Sequence, residues 1–327
     1  FTNVADAVAA AREGDTVRLE PGLYREPPIT LAPGVHLVGS SASGCRIEAL
    51  RSGAPLVTVG SGSEAEIANI TFDGRNMASP GILLHDASAG IRDCAFSGFG
   101  GDDGVCLMVT GADAAPSIMG SQFTGGRIAC LAFRDGARGS AENNTFTGSR
   151  GSGIEVAGSG TAPTLMRNQC RENQEYGIVF RAGAGGTAEQ NTCERNFQSG
   201  IAVLDPSTAP DLISNKCLSN VAEGILFANG AGGTATRNTC TGNSASGIRI
   251  TDNGSAPRLT LNICAENGSH GISYADGAAG EAHNNTCEKN QAGGIHVAGK
   301  GTVAMLAANS AMGNSGVGIH FADGASG

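Results

Sequence analysis

The sequence predicts an all-β fold: a single-stranded right-handed parallel β-helix of about thirteen coils, with a short capping α-helix at its start. Three observations predict it. A unit of 23 or 24 residues recurs through most of the chain. Each later copy opens on an apolar pair at i and i+2, the mark of a strand with two inward side chains. The composition agrees: 51 glycines in 327 residues, no tryptophan, 4% aromatic and 16% charged residues. That is too little aromatic volume for a conventional core and too much glycine for helices.

Taken in order, residues 3–13 read as an amphipathic helix. Asn3 is its N-cap, Asp6 lies in the first turn and Gly14 ends it. Residues 1–15 are therefore expected to plug the open end of a solenoid whose coils occupy 16–327. The first coils, around 16–20, 35–39, 45–49 and 56–60, are irregular. From about residue 107 the repeat is regular.

Its anchor is Asn-x-Cys, at Asn168/Cys170, Asn191/Cys193, Asn215/Cys217, Asn238/Cys240, Asn262/Cys264 and Asn285/Cys287. A second asparagine follows each cysteine by three residues: Asn173, Asn196, Asn220, Asn243, Asn267 and Asn290. Phe146, Phe123, Phe96 and Phe72 hold the cysteine position upstream, and Ala311 holds it downstream. A Gly-Ile pair starts each later strand, with Ile154, Ile178, Ile201, Ile225, Ile248, Ile272, Ile295 and Ile319. A longer period of 47 overlies this one: Pro116, Pro163, Pro210 and Pro257 are 47 apart, as are Gly139, Gly186, Gly233 and Gly280. The unit of duplication is thus a pair of coils.

A 23-residue coil is too short for a strand, a helix and two loops. Stacked coils about 4.8 Å apart place identical side chains over one another, which accounts for the Ile, Cys and Asn ladders. A turn asparagine takes left-handed geometry and bonds the amide of the adjacent coil. The ladder positions Asn144 and Asn285 lie in glycosylation sequons, but such turn asparagines read as backbone-bonding residues. The chain stops partway through a coil, so a continuation or a partner is expected at that end. Phe1 reads as the start of a processed or excised segment, which leaves targeting unreadable.

Two stretches carry a resemblance. Residues 3–39 resemble the opening segment of pectate-lyase-like β-helix proteins, and the Gly-Ile…Asn-x-Cys…Asn coils are similar to the generic right-handed β-helix repeat. That repeat occurs in carbohydrate-active enzymes, in periplasmic accessory proteins of nitrous-oxide reductase and in substrate-binding regions of F-box adaptors. The resemblance implies the fold; it does not choose among activities, because this scaffold hosts many. Polygalacturonase-like hydrolases carry four short motifs on successive coils. Gly101-Asp102-Asp103-Gly104 resembles one of them and His270-Gly271 another, about seven coils apart, and the other two are missing. Asp102 and Asp103 are the carboxylate pair a hydrolase would use, and a surface turn is the plainer reading of them. The Asp-Pro-His-Asp signature of alginate epimerases is absent.

Between the two inward slots, the outward strand positions from Ile154 on are Glu155, Val179, Ala202, Leu226, Arg249, Ser273, His296 and His320. Most are small or apolar, without the aromatic platforms and dense polar groups of a sugar cleft. The exception is Arg249, Ser273, His296 and His320 on consecutive coils, with Asp252, Asp276 and Asp323 three residues after Arg249, Ser273 and His320. This strip is the candidate binding site. Arg249, His296 and His320 are also the candidate catalytic groups. The competing reading is a solvated face whose aspartates begin turns, as Asp86, Asp135 and Asp205 do.

Ten cysteines include no Cys-x-x-Cys pair, and the histidines are not spaced as ligands to them. Interchange with phenylalanine marks the repeated slot as apolar, so free buried thiols are expected. They favour a reducing compartment, such as the cytoplasm, over a secreted or periplasmic one. No metal or cofactor is expected, calcium at the acidic turns being the exception an enzyme on uronate polymers would bring. A net charge of −9 without basic runs argues against nucleic acid, and no apolar stretch approaches the roughly 18 residues of a membrane span. The expected function is a non-catalytic recognition or scaffold module for a protein or polysaccharide partner. The alternatives are a uronate-polymer lyase, epimerase or hydrolase, and a rod-like spacer.

Overall fold

The computed structural model describes residues 1–101 and 104–327. Asp102 and Asp103 therefore lie outside the described residues. The chain is an all-β parallel solenoid of about thirteen turns. Its strands fall into three sheets of 13 strands each among the described residues, every sheet running in chain order. The first sheet begins with Thr16–Leu19, the second with Gly22–Glu26 and the third with Ile29–Leu31. Neighbouring strands are parallel and in register, so each coil contributes one strand to every sheet and the same slot recurs on the next coil.

The only helix among the described residues is Val4–Ala10, shorter than the 3–13 expected. Asn3 does cap it, accepting the Asp6 N–H at 2.7 Å. The end differs because Ala11 is already extended and because the Asp15 carboxylate takes the Arg12 N–H at 2.8 Å, holding 12–15 as a turn. The helix buries Val4 and Val8. A long-range cap completes it: buried Glu26 accepts the Val4 and Ala5 N–H groups at 2.7 and 3.1 Å.

By contacts the chain forms two compact units. In the first, residues 1–155 and 160–169, the repeated slot of the second sheet holds a phenylalanine stack. Phe72, Phe96, Phe123 and Phe146 are in register, with ring centroids 5.2, 4.6 and 4.8 Å apart. In the second unit, residues 156–159 and 170–327, that slot holds Cys193, Cys217, Cys240, Cys264 and Cys287 in register, followed by Ala311. All ten cysteines are free and buried.

Both asparagine ladders form. Within each ladder the amide oxygen accepts the main-chain and side-chain N–H of the asparagine one coil earlier, and at the start of the first ladder Asn144 accepts the Ser121 N–H at 2.9 Å instead. Asn262, for example, accepts from Asn238 at 2.9 and 3.0 Å. The left-handed residue, however, is the one before the ladder asparagine. Arg237, Leu261 and Asn284 have φ of 57°, 60° and 56°, while Asn238, Asn262 and Asn285 do not adopt positive φ. The preceding residue makes the corner, and the asparagine then points inward to bond the coils.

The 47-residue period has a physical basis in these contacts. Gly136, Gly183, Gly230 and Gly277 donate their N–H to Thr161, Thr208, Ser255 and Thr302, a buried hydroxyl on the next coil, at 2.9, 2.9, 3.0 and 3.0 Å. Gly139, Gly233 and Gly280 lie against Pro116, Pro210 and Pro257, and a Cβ on any of them would come within 2.3–2.5 Å of the proline carbonyl oxygen. Coils of two kinds must therefore alternate.

Candidate functional site

The candidate strip lies within the second unit, on the outward face of the third sheet. Four strands carry it: Ile248–Ile250, Ile272–Tyr274, Ile295–Ala298 and Ile319–Ala322. Their register pairs Arg249 with Ser273, Ser273 with His296 and His296 with His320, so the side chains expected to stack occupy one column. The inward neighbours of Arg249, Ser273 and His296, such as Ile248 and Ile250, are fully buried and hold the strands in place, whereas Ile319 and Phe321 beside His320 are partly exposed.

The histidines form a larger group than the sequence suggested. His270, in the turn before the second of these strands, stacks on His296 with centroids 4.5 Å apart and planes 8° from parallel. His296 in turn faces His320 at 5.3 Å and 38°. The Gly293 N–H fixes His270 through its Nδ1 at 3.0 Å. His296 Nδ1 is buried and has no hydrogen-bond partner. A shallow groove of about 170 Å³ runs past the three rings, floored by Gly293, Ile295 and Gly316. Burial, and then the charge of the neighbouring imidazole, holds the His270 ring below its usual protonation range. Burial followed by His320 does the same to His296, against an opposing pull from Asp323.

His270 has a sequence signal. The residue before the Gly-Ile pair is large in alternate coils (Tyr176, Glu223, His270, Val317) and small in the coils between (Ser199, Ser246, Gly293). A small residue there leaves space for the large one from the adjacent coil. Glu223 uses that space to accept the Ser199 hydroxyl at 3.0 Å, and His270 uses it to reach Gly293 and His296.

The aspartates are placed differently. Asp252, Asp276 and Asp323 have φ of 71°, 54° and 52°, in the same turn column as Asp86, Asp135 and Asp205. The Asp252 and Asp276 carboxylates bond the coil framework. Asp252 accepts the Asn229 N–H at 3.1 Å and Asp276 the Thr251 hydroxyl at 2.8 Å, as Asp205 accepts the Ala182 N–H at 3.1 Å. Asp276 also meets Arg249 at 3.7 Å, an exposed pair of small energetic weight. Ser273 is 7% exposed, and His320 is exposed at the outer end of the column. In the first unit the buried Glu155 carboxylate is held by Arg134 at 2.6 and 2.8 Å.

The cysteine column adds no reactive group at the surface. Hydrogen bonding to the neighbouring thiol, together with burial, pushes Cys193 and Cys217 well above the usual range. Burial, helped by the charge of Asp93, pushes Cys94 up to about 12. These are protonated, packed thiols, consistent with a slot phenylalanine can also fill. Among the described residues no helix is long and apolar enough to cross a membrane.

Three sheets of stacked parallel strands with asparagine ladders between the coils define the pectate-lyase-like right-handed parallel β-helix fold. The chain belongs to the family described as "Right handed beta helix region", which it matches over residues 55–217 and 209–327. Among solved structures it is similar to the A-module of the mannuronan C-5 epimerase AlgE4 of Azotobacter vinelandii: 17% identity, TM-score 0.59, covering 99% of this chain and 93% of the other. It is also similar to the periplasmic alginate epimerase AlgG, at 15% identity and TM-score 0.52 over 98% and 82% of the two chains. The catalytic domain of a GH87 α-1,3-glucanase in complex with tetrasaccharides matches at 9% identity and TM-score 0.63, over 95% and 64%. These likenesses establish the shared fold. No curated protein sequence matches the chain.

Proposed function

We propose that this chain is a non-catalytic recognition module that binds an extended, neutral polysaccharide along the third-sheet face of its second unit. The observation that carries this reading is the column Arg249, Ser273, His296 and His320 with His270 stacked beside it. It offers imidazole edges and one guanidinium over a shallow groove of about 170 Å³, well below the roughly 300–1,000 Å³ of an enclosing ligand site. Asp252 and Asp276 are engaged by the coil framework, which leaves no free carboxylate pair there for acid and base work. Arg249 is offset by Asp276 and two imidazoles are held toward neutrality, so the strip favours hydroxyl-rich sugars over a polyanion. That the similar structures include enzymes acting on alginate and α-1,3-glucan supports a carbohydrate partner.

The test is affinity electrophoresis against glucans, mannans, alginate and polygalacturonate, with the products of long incubations analysed by chromatography. Retardation by a neutral polymer, relieved in Arg249→Ala and His296→Ala and without product, is the expected result. Polymer cleavage or epimerisation that disappears in Arg249→Ala would establish the enzyme reading and overturn this one.

A further inference from the structure

The histidine column contains a contact that acid must break. His270 Nδ1 accepts the Gly293 main-chain N–H at 3.0 Å, one coil further on. Accepting requires a lone pair on Nδ1, so the ring in this place is neutral with its proton on Nε2. A second proton has only Nδ1 to go to. There it would set a donor against the Gly293 N–H, and the bond that anchors the ring would be lost.

His296 opposes charge for a second geometric reason. Its Nδ1 is buried and has no hydrogen-bond partner, so an imidazolium would bury a donor without an acceptor. The His270 and His296 rings lie 4.5 Å apart with planes 8° from parallel, and two positive charges would repel face to face. His320 follows at 5.3 Å. The surrounding charges do little to offset this. Asp323 acts on His296 against His320. Asp276 is engaged by Thr251 and Arg249, and Asp252 by the Asn229 N–H. Glu266, at the corner before His270, meets Lys289 at 3.9 Å. The turn one coil earlier, residues 244–246, carries no titratable side chain, nor do Gly293 and Val317 in the same slot of the coils that follow.

We propose that the column is an acid-released clasp: when His270 takes a proton from solvent on Nδ1, it lets go of Gly293 and leaves the face of His296, and the groove over Gly293, Ile295 and Gly316 loses one of its three rings. His270 is half-buried, so solvent reaches it. Burial, and then the neighbouring imidazoles, holds both rings below the ordinary histidine range, which puts the release below about pH 6.5. The consequence for binding rests on the polysaccharide reading: a neutral polymer is held near neutral pH and let go on acidification. The release of the ring needs no ligand.

The full chain, labelled with ¹³C at histidine Cε1 and ¹⁵N at glycine, is titrated by nuclear magnetic resonance without polymer, and His270→Gln assigns the His270 signal. His270 should titrate below the ordinary range, and the Gly293 amide should shift and lose hydrogen-exchange protection at the same midpoint. In His270→Gln the side-chain oxygen accepts the same N–H at any pH, so the Gly293 amide should not respond. A Gly293 amide unchanged through the His270 titration, or one that responds equally in His270→Gln, would overturn the clasp. Depletion by the immobilised neutral polymer, at about pH 7.5 and about one unit below the measured midpoint, reads the consequence. Binding should weaken at least fivefold in the parent and hold in His270→Gln, and equal binding by the parent at both would overturn acid release of the polymer. Absence of any bound polymer at about pH 7.5 would overturn the polysaccharide reading, while the polymer-free titration still decides the clasp.

Discussion

Replacing Asn238 with alanine removes four hydrogen bonds from the interior of the second unit. Asn238 Oδ1 accepts the Asn215 main-chain N–H at 2.9 Å and the Asn215 side-chain amide at 3.0 Å. Asn238 Nδ2 donates to the Leu212 carbonyl at 2.9 Å and to Asn262 Oδ1 at 3.0 Å. The side chain is fully buried, so water does not replace these partners. At about 1 kcal/mol net for each bond the loss is about 4 kcal/mol, and the stranded Asn215 N–H holds it at that level. The adjacent residue is the control. Arg237 is exposed with φ of 57°, so Arg237→Gly relieves roughly 1–2 kcal/mol of left-handed strain and adds about 0.5–1 kcal/mol of chain flexibility. Its net effect should stay within about 1 kcal/mol of zero. Guanidinium unfolding followed by far-ultraviolet circular dichroism gives both values, and hydrogen exchange at the Asn215 amide gives a local one. An Asn238→Ala protein within about 1 kcal/mol of the parent, with Asn215 still protected, would refute the ladder as a principal bond between coils.

Three further outcomes follow from single contacts. Tyr274→Phe should stabilise the protein by about 1 kcal/mol in the same unfolding assay, because the buried Tyr274 hydroxyl has no partner and Phe227 fills the equivalent slot two coils earlier; a loss would point to an unseen partner. Gly233→Ala should cost about 2–4 kcal/mol, since φ is 98° and the new Cβ would lie 2.4 Å from the Pro210 carbonyl oxygen, whereas Gly148→Ala, with φ of 64° and open space, should cost only the backbone strain. Stability should fall as pH drops below about 6.5, because the unfolded histidines take up protons there while His270 and His296, held lower in the fold, do not, and it should level off once the folded rings also titrate. Urea midpoints between pH 7.5 and 5.5 check the sign, and His296→Gln should flatten the slope.

Much of the fold is legible in the sequence because a solenoid repeats one local solution. The Asn-x-Cys spacing alone places Cys193, Cys217, Cys240, Cys264 and Cys287 in one column, and the phenylalanines before them hold the matching slot in the earlier coils. Less legible is which residue bends the chain. The conspicuous asparagine draws attention to the corner, yet the left-handed φ sits on Arg237, Leu261 or Ser214, residue types with no such preference. Tertiary hydrogen bonding by the next residue overrides local propensity there. The strip is legible as a column from Arg249 to His320, since parallel register is implied by the repeat. His270 is harder to see because it joins from a turn, and its reach depends on Gly293 being small one coil later.

The most direct measurement of the central claim is hydrogen–deuterium exchange with and without the neutral glucan or mannan oligosaccharide that best retards the protein. Slower exchange confined to residues 268–276, 293–298 and 316–323 would place the polymer on the histidine column, as the account predicts. Slower exchange on the outer faces of the first or second sheet instead, or no change under saturating oligosaccharide, would contradict it.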